Sequence, residues 1–321
     1  MRVVEALDAI LMQHNRRTAE GRYRPPDAMP AVEHVVLLRD PRAIESLRRL
    51  FPNARIHLWL HDLMAPGSTR ARWLAGADAA LATAGGAVIC VSDFLQQRVE
   101  AVLRNLARSS AVELRTIFNP IDDALDRDGS SVDPQKLIFL SSPNKGLGYS
   151  LAAFQAVRRA FPGMRLCVAN PGYRALQPIA LPDVEWLGIL PPARAFAEAR
   201  SALAVFMPNF VLLETFGLVF AEANAVGTPV IAHDCGAARE VLHPRNPVLP
   251  VHGGQRRFER FTAPLGWRTK LSLAGVARRL SIFDDYVETL RAWRGGARPL
   301  VSADPRFRIS RVAQDWQELF A

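Results

Sequence analysis

Short apolar runs alternate along this chain with amphipathic stretches of helical length, and that alternation leaves few folds open. Val35-Val36-Leu37-Leu38, Ile56 to Leu60, Ala87 to Val91 and Leu114 to Phe118 read as strands. The stretches from Ile44 to Leu50 and from Phe94 to Leu106 read as helices, the second capped by Ser92 or Asp93. Strands that are apolar on both faces and separated by helices belong to a parallel sheet covered on both sides.

From Asp123 to Pro134 the periodic pattern gives way to Asp, Arg, Gly and Ser, which reads as an interdomain linker. A second β-α series follows. Strands are expected over Lys136 to Leu140, Met164 to Ala169, Pro182 to Leu187, Leu203 to Met207 and Pro229 to Ala232. Helices are expected over Gly148 to Phe161, Pro192 to Ser201, Phe216 to Val226 and Ala237 to Leu242. His243 to Gly266, with its Pro, Gly-Gly and Arg-rich runs, reads as a loop or irregular insertion. Helices resume from about Leu271, and Arg311 to Phe320 closes the chain as an amphipathic helix. Two doubly wound domains are the simplest assembly, with boundaries at 1–130, 131–305 and a final helix at 306–321.

The 321 residues, 49% of them hydrophobic, suffice for two cores. No apolar run is long enough to span a bilayer, and Met1 to Arg24, with Glu5 and Asp8 before its longest apolar stretch and no small-residue cleavage pattern, does not read as a signal peptide. Cys90, Cys167 and Cys235 are widely spaced and odd in number, which suits reduced thiols in a cytoplasmic protein. The formal net charge is +9, nearly all of the positive charge being Arg, since Lys stands only at 136, 145 and 270. Such a balance fits an anionic substrate or anionic lipid as well as it fits solvated helix faces. The basic residues are scattered without aromatic interleaving, and no nucleic-acid-binding motif accompanies them, so no nucleic acid partner is expected.

The stretch from Glu214 through Thr215-Phe216-Gly217-Leu218 to Glu222 carries the most chemistry. A strand ends near Met207, a loop follows, and Gly217 opens a helix whose free N–H groups form an anion site. Gly217 lets a phosphate come close to the backbone. Glu214 precedes the helix and Glu222 lies inside it, so both carboxylates can face the crevice at the strand C-termini and hold sugar hydroxyls. The same residues would also serve as a helix N-terminal charge and a solvated helix position.

Glu214 and Glu222, with seven residues between them, resemble the E-x7-E motif of retaining glycosyltransferases of the GT-B fold. The flanking Glu-Ala-Asn-Ala-Val-Gly-Thr-Pro-Val-Ile-Ala and Gly236-Ala237-Ala238-Arg239-Glu240-Val241 look like the large family 4 group. The loop Ser141-Ser142-Pro143-Asn144-Lys145-Gly146-Leu147 resembles the family's diphosphate loop in its Lys-Gly pair, although the preceding Arg is missing. Asn170-Pro171-Gly172 and Gly188-Ile189-Leu190 match the family's turn and nucleobase loop more weakly. Met1 to Pro30 lacks the initial strand and Gly-rich loop of the family.

The resemblance implies two Rossmann-like domains facing a cleft, and transfer of a hexose-type sugar from a nucleoside-diphosphate sugar without a metal or other cofactor. It implies a saccharide or lipid-linked acceptor, in cell-envelope polysaccharide or lipopolysaccharide synthesis, with peripheral contact to an anionic inner membrane. The donor would be held by Ser142, Asn144, Lys145, Gly188, Ile189, Leu190, Glu214, Thr215, Phe216, Gly217, Leu218 and Glu222. Lys145, Glu214 and His61 would act in catalysis, with His61 at a strand end beside Asp62. Asp62, Ser92 and Asn119 are candidates for the acceptor side. The alternative is a catalytically degenerate nucleotide-sugar-binding protein of the same fold.

Overall fold

A computed structural model describes residue 7 and residues 31–106, 111–173, 178–262 and 281–321. The chain divides into two compact units, Met1–Pro120 with Arg306–Ala321, and Ile121–Pro305. The first division falls at Pro120, ahead of the polar stretch in which the composition placed it.

The first unit holds a four-stranded parallel sheet in the order β1-β2-β3-β4, formed by β1 (His34–Leu38), β2 (Arg55–Leu60), β3 (Ala87–Cys90) and β4 (Glu113–Thr116). Its helices are α1 (Ile44–Leu50), α2 (Thr69–Thr83) and α3 (Asp93–Leu106). β3 is buried at every position, as expected of a central strand with helices on both faces. The final helix, α10 (Ile309–Phe320), lays Val312, Trp316 and Leu319 against Ala87, Ile89 and Ile117. Trp59 meets Trp316 edge-on at 5.0 Å between ring centroids.

The second unit holds a six-stranded parallel sheet in the order β10-β9-β8-β5-β6-β7. Its strands are β5 (Asp133–Leu140), β6 (Arg165–Ala169), β7 (Val184–Gly188), β8 (Ala202–Phe206), β9 (Val230–His233) and β10 (Val248–Leu249). Its helices are α4 (Leu147–Ala160), α5 (Pro192–Arg200), α6 (Leu218–Ala225), α7 (Ala238–Val241), α8 (Gly253–Thr262) and α9 (Asp284–Ala292). The chain winds outward from β5 through β6 to β7, then returns to the other side of β5 as β8 and continues outward. The winding therefore reverses between β5 and β8. Two parallel α/β units of this kind are the GT-B architecture.

Two elements depart from the sequence reading. Thr69–Thr83 is a helix whose alanine-rich sequence has no apolar stripe, so periodicity passes it over. It starts at Ser68, whose Oγ accepts the Ala71 amide at 3.2 Å. His243 to Gly266 is not an irregular insertion in its described part: Val248–Leu249 adds a strand beside β9, and Gly253–Thr262 is helical. Tertiary contacts override the poor propensity of Gly253-Gly254. A Cβ on Gly254 would stand 2.8 Å from Ile282 Cγ2, so glycine permits the close approach. Buried Gln255 donates to the Ile282 carbonyl at 3.0 Å and to the Tyr286 hydroxyl at 3.2 Å. The readings of Met1 to Pro30 and of a helix from Leu271 lie outside the described residues.

Candidate functional site

The point where an open parallel sheet reverses its winding leaves a crevice beyond the strand C-termini, because the two flanking loops run to opposite faces. Here those loops are 141–146, after β5, and 207–217, after β8. Each ends in a glycine with left-handed backbone that caps a helix without any side-chain cap: Gly146 (φ 88°) for α4 and Gly217 (φ 87°) for α6. Two helix N-termini, each the positive end of a helix dipole, thus flank the switch point. Gly217 is the cap and the helix begins at Leu218, two residues later than the sequence suggests.

The two loops bring one pair of charges together. Lys145 Nζ donates to Glu214 Oε2 at 2.9 Å. The Glu214 side chain is 11% exposed and that of Lys145 is 35% exposed, so the cation faces solvent and the carboxylate faces inward. The second carboxylate oxygen, Oε1, is buried without a hydrogen-bond partner. A buried carboxylate oxygen left unsatisfied is costly, which makes it a candidate position for a ligand donor. The Glu214 backbone is pinned from the next loop: its carbonyl accepts the Ala237 amide at 2.9 Å. A Cβ on Gly236 would stand 2.4 Å from that same carbonyl oxygen.

The other expected donor residues fall around this pair in different ways. Ser142 is buried and its hydroxyl donates to Asn144 Oδ1 at 2.6 Å, so it shapes its own loop, while Asn144 is exposed. Thr215 is half-buried, Phe216 is buried and Leu218 is 41% exposed. Glu222 is half-buried in the middle of α6. Gly188 ends β7, and Ile189 and Leu190 follow it; Ile189 is 69% exposed, and the Gly188 carbonyl accepts the Asn170 amide at 2.9 Å. Asn170 Oδ1 in turn accepts the Gly172 amide at 3.0 Å, closing the expected turn.

In the first unit, His61 follows β2 and stacks obliquely on Trp59 at 4.6 Å. Burial, with help from Arg39, pushes its pKa down to about 4, so the imidazole is neutral near pH 7. Asp62 is engaged by Arg70 at 3.3 Å and Arg39 at 3.9 Å, and its chief partners are arginines rather than the imidazole. Ser92 is fully buried and its Oγ accepts the Leu95 amide at 3.0 Å, so it is a helix cap rather than a surface that an acceptor could touch. Asn119 is half-buried. A cavity of about 320 Å³ in this unit is lined by Arg115, Arg306, Arg311 and Asp315, among others, and by none of the expected site residues. Among the described residues no group of three or more His, Cys, Asp or Glu is placed to hold a metal ion.

Gly236 was visible only as part of a longer motif. It acts through close contact with the Glu214 backbone, which leaves no periodic or charged signal in a sequence.

Residues 134–255, which contain both loops and the ion pair, match the sequence model of the family described as glycosyl transferases group 1. The match falls within the second unit. Over 135 residues the chain is 36% identical to D-inositol 3-phosphate glycosyltransferase of Segniliparus rotundus, covering 37% of this chain and 30% of the relative. Over 167 residues it is 32% identical to phosphatidyl-myo-inositol mannosyltransferase of Mycobacterium tuberculosis, covering 48% and 42%. The matched stretches thus span less than half the length of these relatives. Among solved structures, Anabaena HepE in complex with UDP-glucose superposes with a TM-score of 0.55 at 15% identity, covering 88% of this chain and 77% of that one. Sucrose-phosphate synthase from Thermosynechococcus elongatus gives 0.54 at 19% identity, covering 90% and 73%.

Proposed function

We propose that this protein is a glycosyltransferase whose second unit holds a nucleoside-diphosphate sugar at the switch point, and that it transfers a hexose-type sugar with retention of configuration and without a metal. The observation that carries this reading is the Lys145–Glu214 pair between two glycine-capped helix N-termini. Lys145 and the N-terminal amides of α4 and α6 supply positive potential where the diphosphate leaves, in place of a cation. The buried Glu214 Oε1 accepts a donor-sugar hydroxyl, and Glu222 takes the ribose hydroxyls. In the reaction the bond from the anomeric carbon to the diphosphate oxygen breaks. The acceptor oxygen bonds to that carbon, and the acceptor proton passes to the departing diphosphate. His61, neutral at pH 7, serves as a hydrogen-bonding partner for a sugar hydroxyl and not as a proton donor.

Named relatives act on inositol-based acceptors, and this, with the net charge of +9, supports a saccharide or lipid-linked acceptor in cell-envelope synthesis at an anionic membrane face. A thermal-shift titration with nucleoside diphosphates and their sugar conjugates tests donor binding. A ligand at 100 times its Kd adds about 2.7 kcal/mol to the state that binds it. One base family is expected to raise the melting temperature, and the shift is expected to survive EDTA. NMR of the product then reads the anomeric configuration. Absence of any shift defeats the donor assignment. Binding without transfer to any acceptor would favour a degenerate binding protein.

A further inference from the structure

We propose that Asn209 is a positioning residue that sets the distance between Lys145 and Glu214, an inference that rests on the donor-site reading above. Asn209 follows β8, is 7% exposed, and touches all three loops that build the site. Toward the loop after β5, its side chain fills the space beside Gly146: a Cβ there would lie 2.9–3.0 Å from Asn209 Cβ, Cγ and Oδ1. Gly146 is the residue next to Lys145. Within its own loop, Asn209 Oδ1 accepts the amides of Val211 at 3.1 Å and Leu212 at 3.4 Å. Its Nδ2 donates to the Leu212 carbonyl at 2.8 Å, so both ends of the amide are used in closing the turn that leads into Glu214. Toward the loop after β9, its carbonyl accepts the Cys235 thiol at 3.3 Å, beside the Gly236 that abuts the Glu214 backbone.

An asparagine suits this place for a specific reason. The turn needs an acceptor for two amides and a donor for one carbonyl from a single short side chain. Alanine supplies neither, and glutamine overfills the gap beside Gly146. Loss of the clamp lets the two loops separate, which weakens the ion pair and uncovers Lys145.

The test reads Lys145 directly by trace acetylation with acetic anhydride and mass spectrometry. Lys136, 5% exposed, provides an internal measure of unfolding. Asn209→Ala is expected to raise the Lys145 rate about threefold to fivefold, toward that of Glu214→Gln, with Lys136 unchanged. Asn209→Ser, which keeps an acceptor near the Val211 amide, should stay near the wild-type rate. Should the alanine chain unfold, Asn209→Gln takes its place and the same rise is expected. A wild-type rate in the folded alanine or glutamine chain, or a serine chain that reacts as fast as either, overturns the proposal. With a working donor, Asn209→Ala lowers kcat by about tenfold with a smaller change in KM, and the loss shrinks in a Glu214→Gln background. An equal loss in both backgrounds would leave Asn209 a merely structural residue. A wild type without donor turnover defeats the functional reading and leaves the acetylation measurement intact.

Discussion

Glu214 holds Lys145 with one carboxylate oxygen and leaves the other buried and empty-handed, so the two residues restrain each other. Under the proposed donor reading, a diphosphate competes with Glu214 for the same ammonium. Removing the charge at 214 should therefore free Lys145 for phosphate while depriving the sugar of its acceptor oxygen. Glu214→Gln is expected to bind a free nucleoside diphosphate at least as tightly as wild type and to lose turnover on the order of 10²-fold. Lys145→Ala is expected to weaken the same nucleotide about 10- to 100-fold, the range of a charged hydrogen bond. Calorimetric titration of both variants separates the roles. Weaker nucleotide binding by Glu214→Gln than by Lys145→Ala would reverse the assignment. The charged members of this site were legible in the sequence because their types and spacing are chemical. Their supports were not: Asn209 and Gly236 matter through what their side chains fill or leave empty, whereas the cap that Ser92 gives α3 was legible in its residue type and place.

At the scale of elements, central β-α units were legible because buried parallel strands are apolar without interruption. α2 and α8 were not, since one lacks an apolar stripe and the other begins with Gly253-Gly254 and is held in place by Gln255. Gly236 shows how one element seats another. Ala at 236 would meet the Glu214 carbonyl and would have to hold φ near 63°, so Gly236→Ala should destabilise the second unit by about 1–3 kcal/mol and reduce turnover as well. Denaturant unfolding and kcat are read together; a fully stable, fully active variant would remove Gly236 from the account of the site.

Histidines link other elements. The Ala87 amide donates to His57 Nδ1 at 3.2 Å, so His57 Nε2 carries the proton and donates to His34 Nδ1 at 3.0 Å. His34 in turn packs its ring against Phe320 at the end of α10, 4.8 Å between centroids. In the second unit His233 Nδ1 donates to the Leu249 carbonyl at 3.2 Å, and its Nε2 takes the Tyr286 hydroxyl. Burial pushes both His57 and His233 from 6.5 to about 4. The native state therefore binds fewer protons than the unfolded chain between these values. Their contribution to stability is complete above about pH 6.5 and falls as pH drops toward 4, by at most about 3 kcal/mol each. Arg55, Arg115, Glu113 and His34 face His57, and Asp285 and His252 face His233, so the charges around each ring modulate this slope. His57→Phe, followed by denaturant unfolding from pH 7 to 4.5, should flatten the decline by the share of His57. An unchanged slope would show that His57 titrates normally.

Across the whole molecule the question is what a net charge of +9 would offer the lipid-linked acceptor proposed above. No helix among the described residues is long and apolar enough to cross a membrane. Attraction between arginines and anionic headgroups is worth on the order of 1 kcal/mol for each basic residue near the surface. Such attraction is screened within about 10 Å at 0.1 M salt. Flotation with vesicles of phosphatidylglycerol and phosphatidylcholine should carry the protein upward, vesicles of phosphatidylcholine alone should not, and 0.5 M NaCl should abolish the difference. Equal flotation with both lipids at low salt would point to apolar contact in place of charge. No flotation with either would confine the acceptor to molecules that leave the bilayer, and the Lys145–Glu214 site, which lies in one unit and needs no membrane to form, would stand unaffected.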